Sequence, residues 1–322
     1  MSLLAVGVLS SAPLIGIHPI PVEVILQPIA GSIEAEIFWN LRVPRVLVAF
    51  LAGAGLAISG MTFQALFRNP LVTPFTLGVA SGAALGAALY VRLGLSFTLF
   101  NLSGISLTAF AGALGSILLV YGLSQVKSGF STASMLLAGV AISFFFSSTI
   151  LFIQYLSDFT QSFRLLRWLM GNLSMASVKT VFEILPFVIG SALFTLLLSR
   201  ELNLLTTGEL IAASRGVNIR QIRRFLFFIV SMTVGSIVAA CGPIGFVGMM
   251  IPHICRLLVG ADHRFLTLTT LLFGGSFLTL CDTLARNLIA PAEIPVGVIT
   301  ALLGGPFFIW LLLRQSPEKS GI

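Results

Sequence analysis

The hydrophobic positions of this chain form long unbroken runs and do not alternate with polar ones. Ten apolar stretches occur at roughly 3–17, 43–66, 75–92, 104–124, 132–156, 179–199, 224–241, 244–259, 265–288 and 297–314. A helix crossing the hydrocarbon needs about 20 predominantly apolar residues, so each run is read as a transmembrane helix. A membrane β-barrel would show weakly alternating segments of about ten residues instead. The first run is marginal: Leu3 to Ile17 makes about 22 Å of helix, and no Lys or Arg precedes Arg42. Without a basic n-region it is not a signal peptide. It reads as a first span whose cytoplasmic end is short or was lost in the choice of start codon.

A second regularity lies on top of the first. Arg42, Gly53, Ala57, Gly60, Pro70 and Gly78 recur 182 positions later as Arg224, Gly235, Ala239, Gly242, Pro252 and Gly260. Each copy covers a long apolar helix, a break near a proline and the start of another helix. An odd number of crossings separates the copies, which orients them oppositely, as in transport proteins with inverted repeats. The expected fold is therefore an all-α polytopic membrane protein of about ten transmembrane helices with an inverted internal repeat. It forms one transmembrane domain over 1–322, with repeat halves near 42–156 and 224–314 and a polar cytoplasmic segment at 200–223.

Composition agrees: 57% of residues are hydrophobic and 9% charged, outside the range of an ordinary soluble domain. Charge then sets orientation. With Arg68 in the cytoplasm, alternation places Arg68, Lys127, Arg200, Arg215, Arg220, Arg223, Arg224, Arg256, Arg264, Arg314 and Lys319 on that side, against Glu201, Glu209, Asp262 and Glu318. The basic excess belongs inside. The net charge of +7 therefore reflects topology and does not point to nucleic acid.

Candidate chemistry is sparse. Cys241, Cys255 and Cys281 have neither disulfide nor zinc spacing and read as small packing residues. His253, Cys255, Asp262 and His263 flank one loop with irregular spacing and read as a polar helix end, so no metal and no cofactor is expected. A phosphate-binding P-loop needs Gly before Lys, but the three lysines follow Val126, Val178 and Glu318. The chain does not hydrolyse ATP by that route, and no catalytic constellation appears inside the bilayer. Asp282 lies well inside an apolar run with Arg286 at i+4. The favoured reading is a structural ion pair; ion coupling is the alternative.

The long polar interruption runs from Ser199 to Arg224. Gly208 and Gly216 bracket Leu210, Ile211, Ala212 and Ala213, leaving room for a two-turn helix that either docks into a soluble partner or lies on the headgroups. On the outer face Arg42 and Arg45 flank Pro44, and Arg286 sits at the outer end of the ninth span. An acidic external partner and simple snorkelling both account for them.

These residues also carry a resemblance. Leu41-Arg-Val-Pro-Arg45, the run Gly53 to Gly60, Gln64 to Leu71, Thr76 to Gly82, Asn203 to Val217, Gly242 to Gly248 with Ile251-Pro-His253, Asp282-Thr-Leu-Ala-Arg286, and Glu293-Ile-Pro-Val-Gly297 through Gly304-Gly-Pro306 resemble the permeases of bacterial iron-siderophore, haem and cobalamin ABC importers. The match runs in order from about residue 41 to the C-terminus. It implies a ten-helix subunit in the bacterial inner membrane, paired with a second copy or close relative, with two ATP-binding cassette subunits below and a periplasmic binding protein above. It further implies a coupling segment carrying Asn203, Leu205, Gly208, Glu209, Ala212, Ala213, Gly216 and Val217. Arg42, Arg45 and Arg286 would receive glutamates of the binding protein, and Asn69, Pro70 and Leu71 would line the cytoplasmic constriction. Thr207 and Arg215 stand where leucines are usual, and Ser157-Asp158-Phe159 is more acidic and bulkier than in the cobalamin member.

The resulting expectation is a permease importing a metal chelate, iron-siderophore or haem ahead of cobalamin, by ATP-driven alternating access. The rivals are a stand-alone ion-coupled transporter working through Asp282 and the same permease type importing an oxyanion.

Overall fold

The structure is a computed structural model describing residues 1–18, 20–21, 32–99, 102–128 and 132–314. Glu318 and Lys319 lie outside the described residues. Among the described residues thirteen helices follow one another: α1 (Ser2–Ser11), α2 (Ile33–Phe67), α3 (Val79–Arg92), α4 (Gly104–Ser128), α5 (Thr132–Tyr155), α6 (Phe159–Leu169), α7 (Val178–Leu197), α8 (Ser199–Thr207), α9 (Glu209–Ser214), α10 (Ile219–Cys241), α11 (Val247–Val259), α12 (His263–Asn287) and α13 (Val296–Arg314). Six of these, α2, α4, α5, α7, α10 and α12, are long and apolar enough to cross a membrane, and α1, α3, α11 and α13 are shorter apolar helices. Together they account for the ten apolar runs. The only strands among the described residues, β1 (Thr98–Leu99) and β2 (Leu102–Ser103), pair antiparallel.

The boundaries of the first two helices differ most from the sequence reading, each for a local reason. The first helix stops at Ser11, so 12–18 is free to use its backbone carbonyls elsewhere. The second begins ten residues before its apolar run. Ser32 caps it by accepting from the Ala35 amide at 3.2 Å, and a π-helical stretch, Ile37–Arg42, leads into Pro44, where an α-helical ladder would lack a donor. Its far end is set at Arg68, which adopts a left-handed conformation (φ 50°). The Asn69 amide reaches back to the Gln64 carbonyl at 3.2 Å, so the helix closes as a Schellman motif before Pro70 is reached.

The two repeat copies also break at different places. Gly60 lies inside α2, whereas its counterpart Gly242 ends α10 with φ 71°. Pro252 then falls inside α11, not at the break. The last matched pair shares φ but not ψ: Gly78 has φ 81° and ψ 0°, in the left-handed region, whereas Gly260 has φ 84° and ψ −171°.

Helix α2 is the central post, packed against α7, α10, α11 and α12. Small residues permit this, because helices in lipid associate by close packing rather than by a hydrophobic driving force. A Cβ on Gly53 would collide with the Gly274 carbonyl of α12, and one on Gly60 would overlap the Gly248 carbonyl of α11. The interior around this post is Ala- and Val-rich, with Phe63 and Phe227 stacked at 5.8 Å.

Candidate functional site

The polar side chains gather at the two ends of the bundle. At one end, Gly208 and Gly216 delimit α9 as the sequence suggested. Gly208 takes φ 147°. Gly216, at φ 82°, closes the helix as its amide meets the Ala213 carbonyl at 3.0 Å and the Val217 amide meets Ala212 at 3.1 Å. Helix α9 presents Leu210 at 88% and Ile211 at 49% exposure, with Thr207, Glu209, Ala213 and Arg215 exposed around them. Leu205 and Ala212 point inward and are buried. They hold the helix in place, whereas Leu210 and Ile211, absent from the motif-derived residues, form its outward face. Glu209 is tied to Arg223 of α10 at 2.5 Å.

Asn203 fixes this segment to the bundle. Its Oδ1 accepts from the His263 backbone N–H at 2.9 Å and lies 2.7 Å from His263 Nδ1, and its Nδ2 donates to Asp262 at 2.8 Å. Since Oδ1 is only an acceptor, His263 carries its proton on Nδ1. Asp262 also accepts from the Arg264 amide at 3.0 Å. The Arg264 amide and then the Asn203 side chain hold the Asp262 carboxyl below the usual carboxylate range. The four residues weighed as a polar helix end thus disperse: His263 goes to Asn203, His253 packs edge-on to Phe307, and Cys255 is buried. Among the described residues no three His, Cys, Asp or Glu side chains form a group that could hold a metal.

Near the same end, the Asn69 side chain accepts from the Leu71 amide at 2.9 Å, and Leu71 is 61% exposed. Pro70 is exposed beside it. Arg256 of α11 binds Gln64 of α2, a link that sequence spacing did not suggest.

At the other end the three arginines come together, Arg42 and Arg286 buried and Arg45 part-buried. Arg45 reaches Asp282 with Nε at 3.1 Å and Nη2 at 3.0 Å, and holds Glu293 with Nη1 at 3.0 Å. Arg286 lies 3.3 Å from Asp282, a charge contact without the alignment of a hydrogen bond. The Asp282–Arg286 pair is present as read from the sequence; Arg45 and Glu293 join it from 237 and seven positions away from Asp282 and Arg286 respectively. Arg42 donates to the carbonyls of Pro13 at 3.1 Å and His18 at 2.6 Å, and Arg286 to that of Ala12 at 3.4 Å. Asp158, of the acidic Ser157-Asp158-Phe159 stretch, is the N-cap of α6, accepting from the Gln161 amide at 2.7 Å.

Comparison with known proteins places this architecture. The FecCD transport family matches residues 3–314. The chain is 41% identical over 287 residues to the hemin transport system permease protein HmuU of Yersinia pestis, covering 89% of this chain and 86% of that one. It is 40% identical over 284 residues to the vitamin B12 import system permease protein BtuC of Escherichia coli, covering 88% and 86%. A solved structure of a metal-chelate type ABC transporter in an inward-facing conformation superposes with a TM-score of 0.86 at 33% identity, covering 97% of both chains. Matched over nearly its whole length, the chain belongs to the FecCD transport family, the multi-pass permease subunits of metal-chelate type ABC importers, whose ATPase resides in a partner.

Proposed function

We propose that this permease works as a homodimer in the bacterial inner membrane, above two ATP-binding cassette subunits and below a periplasmic binding protein. It passes a metal chelate, haem or an iron-siderophore ahead of cobalamin, by alternating access. The observation that carries this reading is α9, a two-turn helix whose Leu210 and Ile211 stand out of the fold while Glu209 and Asn203 lock its flanks to the bundle. An apolar knob on a rigid base suits a cleft in a soluble partner. In this reading Asn203, Leu205, Gly208, Ala212, Ala213, Gly216 and Val217 shape and support the coupling segment. Asn69, Pro70 and Leu71 form the cytoplasmic constriction. Arg42, Arg45 and Arg286 mark the docking site of the binding protein, and residues 42–156 and 224–314 act as two oppositely oriented halves of one domain.

The test is reconstitution of the permease with its ATPase and binding protein in proteoliposomes. ATP-dependent accumulation of haem or a ferric siderophore, exceeding that of cobalamin, is expected. Accumulation by the permease alone, driven by an ion gradient, would overturn it.

A further inference from the structure

The three arginines of the docking site are already engaged in the undocked chain, and in two different ways. Arg42 donates to the backbone carbonyls of Pro13 and His18, which are neutral acceptors, and Arg286 donates to that of Ala12 while only its Nε side lies against Asp282. Arg45 is different. One edge of its guanidinium, Nε with Nη2, is filled by Asp282, and Nη1 is filled by both oxygens of Glu293. Bidentate recognition of an external carboxylate needs two parallel donors, and neither edge of Arg45 is free to supply them.

The two carboxylates are not equally fixed. Asp282 is 1% exposed and shared with Arg286. Removing it would leave buried cations unpaired, a large cost. The Glu293 side chain is 39% exposed and stands between α12 and α13. An exposed carboxylate of this kind returns to water at little cost. Glu293 also lines the same cavity, of about 400 Å³, as Arg42, Arg45, Arg286, Gly16 and His18. A side chain entering that cavity would meet the Arg45–Glu293 pair directly.

We propose that Glu293 is a built-in competitor: it occupies Arg45 in the undocked permease and is replaced there by a carboxylate of the binding protein. Docking exchanges one ion pair for another, so a small anion arriving without other contacts gains little. The exchange also releases the segment that leads into α13 at Val296. This inference rests on the docking role given to the arginines above.

The experiment measures binding-protein affinity for the assembled importer in nanodiscs, for wild type, Glu293→Gln, Glu293→Asp and Arg45→Ala. Loss of the competing charge in Glu293→Gln should tighten binding roughly two- to fivefold, the span that an exposed ion pair commands, and steepen its salt dependence. Glu293→Asp, one methylene shorter, should shift it the same way by less, and it decides the matter if the Gln variant fails to assemble. Unchanged or weaker binding in the Glu293 variants, with Arg45→Ala still weakened, would overturn the exchange alone. Unchanged binding in Arg45→Ala would overturn the docking role beneath it.

Discussion

Asn203 and His263 are joined twice, through the His263 backbone amide at 2.9 Å and its ring Nδ1 at 2.7 Å, both directed at one side-chain oxygen. The segment that bears α9 is thereby pinned to the first residue of α12, a helix of 25 residues. At the far end of that helix stand Asp282 and Arg286. This helix, about 37 Å long, thus has the segment bearing α9 at one end and the arginine cluster at the other.

Replacing Asn203 by Ala removes the acceptor for a backbone amide and a buried ring N–H, at a cost of about 1–3 kcal/mol. The expected phenotype is a lower unfolding temperature together with binding-protein stimulation of ATPase that falls well below wild type. The pH dependence follows from Asp262. Its carboxyl is held below its ordinary range by the Arg264 amide and Asn203, so this stabilisation is fully present above the ordinary carboxylate range and is lost as pH falls through the lowered value. The gap in unfolding temperature between Asn203→Ala and wild type should accordingly narrow in that acidic window. A constant gap down to low pH would show that Asp262 takes no part.

Glu209 and Arg223 offer a charge-swap test of the coupling role proposed for α9. Their contact is 2.5 Å, with Arg223 buried and Glu209 about half exposed, so solvent screening limits the gain to about 1 kcal/mol. Glu209→Lys should leave the permease in the membrane while uncoupling ATP hydrolysis from uptake. Combined with Arg223→Glu it should recover part of the coupling. Absence of any recovery would mean that Glu209 acts on the ATPase directly rather than by positioning α9.

The glycine contacts make a comparison within the repeat. A methyl on Gly60 would occupy the space of the Gly248 backbone carbonyl, whereas a methyl on Gly235 would meet the Ala113 side chain at 3.1 Å. The first overlap requires the two helices to part, whereas the second requires a shift of only a few tenths of an ångström. Gly60→Ala is therefore expected to abolish monodisperse protein in detergent, and Gly235→Ala to cost about 1–3 kcal/mol, as overpacking does. Equal yields of the two variants would contradict the close approach of α2 and α11.

Those features that depend on local pattern were legible in the sequence. Ten apolar runs gave ten apolar helices, and Gly208 and Gly216 punctuated α9 because few other residues tolerate positive φ there. Helix α6 was missed, since Arg164 and Arg167 interrupt its apolar positions, although Asp158 followed by Gln161 is a readable capping signal. The different break points of the repeat were missed because matched glycines serve packing in one copy and a helix end in the other. Least legible were the tertiary pairs. Nothing in spacing alone joins Arg45 to Asp282 or Gln64 to Arg256, because such contacts depend on how the helices are arranged around α2.

Asp282 separates the two transport classes that the sequence left open. A proton- or sodium-coupled carrier needs a carboxylate that releases its partner in each cycle, whereas Asp282 is buried between Arg45 at 3.0 Å and Arg286 at 3.3 Å. Breaking a buried ion pair from one side costs about 3–5 kcal/mol, because the remaining charge is stranded. Asp282→Asn should therefore lower the unfolding temperature sharply. Neutralising Arg286 to Gln in the same chain should recover part of that loss, since the two changes remove interacting groups and are not additive. Uptake by the reconstituted importer should in turn be indifferent to a protonophore while ATP is supplied. An Asp282→Asn variant with wild-type stability, whose uptake has lost all response to the ion gradient, would return Asp282 to the role of a coupling site.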